Sequence, residues 1–106
     1  MSKKVYCIAS FKPKQGKEQE LFEVLRALEP QTTRENGCIQ YIVTKHFEHK
    51  NAMGSSFPLV FNEIWESKEA FELHCEKPYI KEFFENHCID KNGFVEDFNV
   101  CVYSDE

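Results

Sequence analysis

The feature that most constrains this chain is a strand that runs into a helix without a break, between Leu59 and Phe84. Leu59-Val60-Phe61 and Ile64-Trp65 are β-branched or large apolar residues that suit a pleated, buried surface. Ser67 can accept a hydrogen bond from the first free N–H groups of a helix, so it is an N-cap. Lys68-Glu69-Ala70-Phe71-Glu72-Leu73-His74-Cys75 then continues at helical spacing. Within this stretch fall an acid (Glu63), an amide (Asn62), the sole Trp (Trp65) and a His (His74), so any chemistry is expected nearby.

The flanking segments supply the rest of a fold. Lys4 to Lys12 reads as a first strand, with Val5, Cys7, Ala9 and Phe11 on one face and Tyr6, Ile8 and Ser10 on the other. Both faces are largely apolar, as in a sheet covered on both sides. Pro13-Lys14-Gln15-Gly16 signals a turn. Lys17 to Glu29 is a first helix with an apolar stripe of Leu21, Phe22, Val24, Leu25 and Leu28. Pro30 kinks or stops it, and Gln31 to Glu35 can add another turn or two. Asn36-Gly37 ends that helix, because both residues tolerate a left-handed backbone.

Cys38 to Glu48 is a second strand, His49 to Pro58 a long connector, and Leu59 to Glu66 the third strand. Lys77-Pro78 ends the helix that starts at Lys68, and Pro78 opens another. Its stripe is Ile80, Phe83, Phe84, His87 and Cys88. Val95 to Tyr103 is a fourth strand, with Phe98, Val100 and Val102 on one face. The order β-α-β-β-α-β is the split βαβ, ferredoxin-like α+β arrangement: a four-stranded antiparallel sheet with helices on one face. It is expected to occupy residues 1–106 as one domain. A chain of 106 residues buries about 65% of its unfolded surface. Its apolar second sheet face therefore predicts a homodimer, with two sheets packed face to face.

Composition excludes several functions. Thirteen basic against 18 acidic residues give a net charge of −5, which does not favour phosphate backbones, so no nucleic-acid partner is expected. No apolar run reaches the roughly 20 residues that span a bilayer. The start Met1-Ser2-Lys3-Lys4 leads into a strand, not a secretory signal, so a cytoplasmic location is expected, with no membrane partner. The five cysteines, Cys7, Cys38, Cys75, Cys88 and Cys101, form no C-x-x-C pair and read as small buried apolar residues. A zinc site drawn from His74-Cys75 and His87-Cys88 is disfavoured, because helical neighbours point about 100° apart and each pair supplies one ligand at best.

The residues also resemble a family. Gly37-Cys38-Ile39-Gln40-Tyr41, Phe61 to Ser67, Ala70-Phe71, His74 and Pro78-Tyr79 are together similar to the antibiotic biosynthesis monooxygenase family. The resemblance runs from the first strand to the fourth. It implies a dimeric α+β barrel and oxidation of a small aromatic or quinol-type substrate by O₂ without metal or flavin. The family also holds haem-degrading enzymes and an isomerase of a phosphorylated signal. The haem branch uses an Asn, a Trp and a His where an ungapped alignment puts Ala9, His74 and Phe84, so haem degradation is not implied.

Each candidate residue has an active and a passive role. His74 is a general base towards a phenol or enol, or a core-edge imidazole bonded to a backbone carbonyl. The resemblance places a His here in many members outside the haem branch. Glu63 shares a strand face with Phe61 and Trp65, and is costly to bury unless paired. It could orient His74 or hold a substrate hydroxyl, or simply pair with Lys45 or Lys81. Trp65 is core or pocket wall. Tyr41, Tyr79 and Phe71 are further pocket-wall candidates. Asn62 points away from Glu63, so the two should not serve one pocket, and the sequence leaves open which face holds it. His46, His49 and His87 read as solvated or packed. Alternative readings are an isomerase using the same base on a small oxo-sugar, and a non-catalytic small-molecule binding module.

Overall fold

A computed structural model describes residues 3–106. Strands β1 (Val5–Pro13), β2 (Cys38–Lys45), β3 (Leu59–Trp65) and β4 (Val95–Ser104) form one antiparallel sheet in the order β2-β3-β1-β4. Helices α1 (Glu18–Ala27), α2 (Glu29–Thr32), α3 (Lys68–Cys75) and α4 (Pro78–Phe83) accompany it, and a π-helical turn, Phe84–Ile89, continues α4. This is the ferredoxin-like α+β fold expected from the sequence.

The strict alternation of β1 and β3 aims one row of side chains at the helices. Val5, Cys7, Ala9 and Phe11 pair across with Trp65, Glu63, Phe61 and Leu59, and all eight are buried. Leu21 and Leu25 of α1 are fully buried in the same core. Against about 25 cal/mol per Å², these large apolar side chains supply most of the driving force for closing the two layers.

Boundaries differ from expectation where partners decide them. The first helix ends at Ala27, and Pro30 sits inside the short α2, whose first turn needs no proline N–H. The second strand stops at Lys45, short of Glu48, because its partner begins at Leu59 and the pairing ends there. On the outer edge of β2, the Val43 N–H donates to Glu29 Oε2 at 2.7 Å, which satisfies a free edge group. The helix from Pro78 was expected to carry His87 and Cys88 on a regular stripe. Instead it widens: the Asp90 N–H bonds the Glu85 carbonyl at 2.9 Å, a five-residue step. Gly93 packs on that turn so closely that a Cβ there would lie 2.4 Å from His87 Cα. His87 turns between the rings of Phe83 and Phe94.

The helices roof β2, β3 and β1 but leave β4 largely bare. Phe98, Val100 and Val102 lie opposite Phe11, Ala9 and Cys7, yet Val102 is 52% exposed. The other sheet face is open as well, with Ile8 and Ile42 exposed and Tyr6, Val60 and Ile64 half-buried. The molecule is a slab 44 × 38 × 20 Å. Its least dimension matches one sheet and one helical layer at about 10 Å each.

Candidate functional site

The pocket lies under the helices. A cavity of about 510 Å³ is walled by Cys7, Ala9 and Phe11 of β1, Tyr41, Phe61 and Glu63 of the neighbouring strands, and Phe71, His74 and Cys75 of α3. Ile80, Lys81, Phe83, Phe84 and Ile89 close the far side, and Val100 lies at the bare β4 edge. The lining is mostly apolar with a few convergent polar groups, as ligand cavities usually are.

Glu63 enters from the middle of β3 and is 5% exposed. Its Oε1 accepts from the Trp65 indole N–H at 3.0 Å, and the Cys7 thiol donates to the same carboxyl. Burial pushes its pKa up to about 7, because removing water disfavours the charged form more than these two donors restore it. Neither anticipated lysine reaches it. Lys45 sits over the Phe22 ring at 4.4 Å, and Lys81 pairs with Glu76 at 2.9 Å.

His74 is held by a residue that sequence reasoning did not single out. Its Nδ1 lies 3.2 and 3.1 Å from the two oxygens of Glu35, and both side chains are nearly buried. The expected partners, Glu63 or a backbone carbonyl, are therefore replaced by Glu35. The imidazole packs beside the Trp65 and Tyr41 rings, at centroid distances of 4.6 and 5.4 Å. Burial lowers its pKa, and the hydrogen bond and charge of Glu35 oppose that shift only in part. Among the described residues no protein group bonds Nε2, and His74 is part of the cavity wall.

Glu35 is itself gripped. The Tyr79 hydroxyl donates to Glu35 Oε2 and lies 3.1 Å from Thr32 Oγ1. Since Tyr79 gives its one proton to Glu35, the Thr32 hydroxyl donates to Tyr79. Burial, then the carboxylate, raises the Tyr79 pKa, so it stays a donor. Burial likewise raises the pKa of Tyr41, Cys7 and Cys75, keeping the phenol and the thiols at the cavity protonated.

The anticipated site residues thus divide. His74, Glu63, Tyr41 and Phe71 meet at the cavity. Trp65 is fully buried behind Glu63, and Tyr79 stands behind Glu35; both support the wall without forming it. Asn62 is on the opposite sheet face, donating to Thr44 Oγ1 at 3.0 Å, and has no place in this pocket because strand neighbours alternate. His46 and His49 are exposed. Glu35 and Thr32 carried one faint signal: three residues apart on a helical turn, they share a face. Among the described residues no three His, Cys, Asp or Glu side chains group as metal ligands, and no helix is long and apolar enough to cross a membrane.

The fold is that of a two-layer, ferredoxin-like α+β domain with a cavity beneath its helices. A family model described as antibiotic biosynthesis monooxygenase matches residues 4–86, and the chain belongs to that family. Among solved structures, a protein of Shewanella oneidensis is similar at 32% identity and TM-score 0.78, over 98% of this chain and 92% of that one. A candidate antibiotic biosynthesis monooxygenase of Deinococcus radiodurans is similar at 17% identity and TM-score 0.74, over 93% and 89%. A DABB-family protein with a ferredoxin-like fold from Mesorhizobium loti gives 14%, 0.73, and 96% of each chain. The last two likenesses speak for the fold alone. No curated protein matches the chain in sequence.

Proposed function

We propose that the chain is a cofactor-independent monooxygenase that oxidises a small aromatic or quinol-type substrate with O₂. The observation that carries this reading is an imidazole anchored at Nδ1 and free at Nε2 beside an apolar cavity. Family membership supports oxidative chemistry. His74 Nε2 removes a proton from an activated carbon or hydroxyl of the substrate. Glu63, protonated up to about pH 7, donates a hydrogen bond to the oxygen on which the negative charge collects. The electron-rich anion passes one electron to O₂, and the resulting radical and superoxide combine to a peroxide. His74 returns its proton to the distal oxygen. The O–O bond breaks, and that oxygen leaves as water with the remaining hydrogen of the reacting CH₂. The other oxygen stays as a new carbonyl. The apolar walls keep bulk water from the anion.

The isomerase alternative is less favoured by the lining. Among the described residues Lys81 is the one Lys or Arg of the wall, and it is paired with Glu76, which is poor provision for a phosphate. The open sheet face further supports a homodimer as the working unit, with its apolar rows covered by a second copy.

An oxygen-electrode screen with quinols, naphthols and anthrones, without added metal or flavin, tests the activity. O₂ uptake above the spontaneous rate is expected for at least one of these, and His74→Ala should slow it by about 10²–10⁴-fold. Equal uptake by His74→Ala removes His74 from the reaction.

A further inference from the structure

Glu35 does more than fill a hole beside His74. Its carboxylate accepts from two parts of the fold, His74 Nδ1 of α3 and the Tyr79 hydroxyl of α4, and the Thr32 hydroxyl of α2 donates in turn to Tyr79. Every hydrogen in the chain points towards the carboxylate, which leaves His74 Nδ1 one role, that of donor. A neutral imidazole with Nδ1 protonated must carry its lone pair on Nε2. The backbone enforces the meeting. Gly37, two residues after Glu35, has φ +89° and lies so near Ala70 that an added Cβ would be 2.5 Å from the Ala70 Cβ. Ala70 is one helical turn before His74 on α3. The glycine therefore draws α3 onto the α2–β2 turn at the place where His74 reaches Glu35.

We propose that Glu35 is a positioning residue, steadied by Tyr79 and Thr32, which fixes the His74 imidazole in the Nδ1–H tautomer and thereby presents a basic Nε2 to the cavity. The inference takes the oxidation reading above for its catalytic consequence, but the tautomer itself can be observed without any substrate. The charged and titratable groups acting on His74 are Glu35 and Lys77, with the neutral phenol of Tyr41 against its ring and Tyr79 behind Glu35. Glu35 favours the imidazolium and Lys77 opposes it.

Imidazole ¹⁵N NMR of the whole chain gives the test, in wild type, Glu35→Gln and Glu35→Ala. In wild type the neutral His74 should be almost wholly Nδ1–H. Glu35→Gln retains an oxygen acceptor but not the charge, so the tautomer should persist while the titration midpoint falls. Glu35→Ala should give a mixed tautomer and a lower midpoint, and with an oxidisable anthrone about a 100-fold loss in kcat at little change in KM. If Glu35→Ala does not fold, Glu35→Gln and Tyr79→Phe carry the test, the latter expected to loosen the preference without abolishing it. Wild-type tautomer and midpoint in both Glu35 variants would overturn the proposal, as would a wild-type His74 that is chiefly Nε2–H. A protein that shows the expected tautomers and oxidises no anthrone or quinol upholds the positioning role and refutes the oxidation reading instead.

Discussion

A single carboxyl sets the balance of this site. Glu63 is raised to about pH 7 from an ordinary 4.5, chiefly by burial. Between those values the folded chain holds a proton that the unfolded chain has released, so stability falls as pH rises through the window. The shift corresponds to a cost on the order of 3 kcal/mol at pH 8. Glu63→Gln keeps an acceptor for the Trp65 indole and removes the charge. It should match wild type near pH 4 and exceed it at pH 8 by ~1–3 kcal/mol, read as a higher melting temperature. A variant that melts at or below wild type at pH 8 contradicts this. His74 works in the other direction: its lowered pKa makes folding more favourable as pH rises through the range below 6.5. For activity the two limits combine, because the base must be neutral and Glu63 protonated. kcat/KM should follow a bell whose alkaline limb, near pH 7, disappears in Glu63→Gln while the acid limb remains. The faces of His74, Glu63, Tyr41 and Phe71, which meet at the cavity, were legible in the sequence from periodicity. Glu35 was not. Its role depends on two segments 39 residues apart being brought into contact, and no local pattern encodes that contact.

Among the elements, the entry to α3 and the turn before β2 carry the most weight. Ser67 caps α3 by accepting from the Ala70 N–H at 3.1 Å, as its type and position predict. Gly16 and Gly37 both have positive φ, but only Gly37 is also in close contact, with Ala70 and Glu66. Gly16→Ala should therefore cost about 1 kcal/mol, from backbone strain alone. Gly37→Ala should cost about 2 kcal/mol or more and reduce activity as well, because α3 must move away and carry His74 from Glu35. Denaturant titration and O₂ uptake of the two variants decide it; equal losses would mean that the close approach is immaterial. Strands and the α3 cap were readable because alternation and capping are local signals. The π-helical turn was not, because it answers to the Gly93 loop folding back on His87, and helical spacing in Phe84 to Ile89 looks regular without that neighbour.

At the scale of the molecule, the consequence of a one-sided roof is an unsatisfied second face. Ile8 and Ile42 project from it, and the helix side of β4 is exposed at Val100 and Val102. Light scattering should therefore find twice the chain mass at micromolar concentration, and Ile8→Lys should shift the population to the single chain by putting a charge in the covered face. Wild type at the mass of one chain contradicts the pairing. The sequence conveyed the two-faced sheet, because every strand carries apolar residues on both faces, but it could not say which face holds the cavity. Roofing decides that: the helices stand over the Glu63 row and enclose a hollow, while Asn62, on the other row, bonds Thr44 instead. The most direct test of that hollow as a place for oxygen chemistry is turnover of an anthrone under ¹⁸O₂ with chelator present and no flavin. One labelled atom per carbonyl formed, at a rate that collapses in His74→Ala, is the predicted result. Unlabelled product, or label entering equally fast without His74, would contradict it.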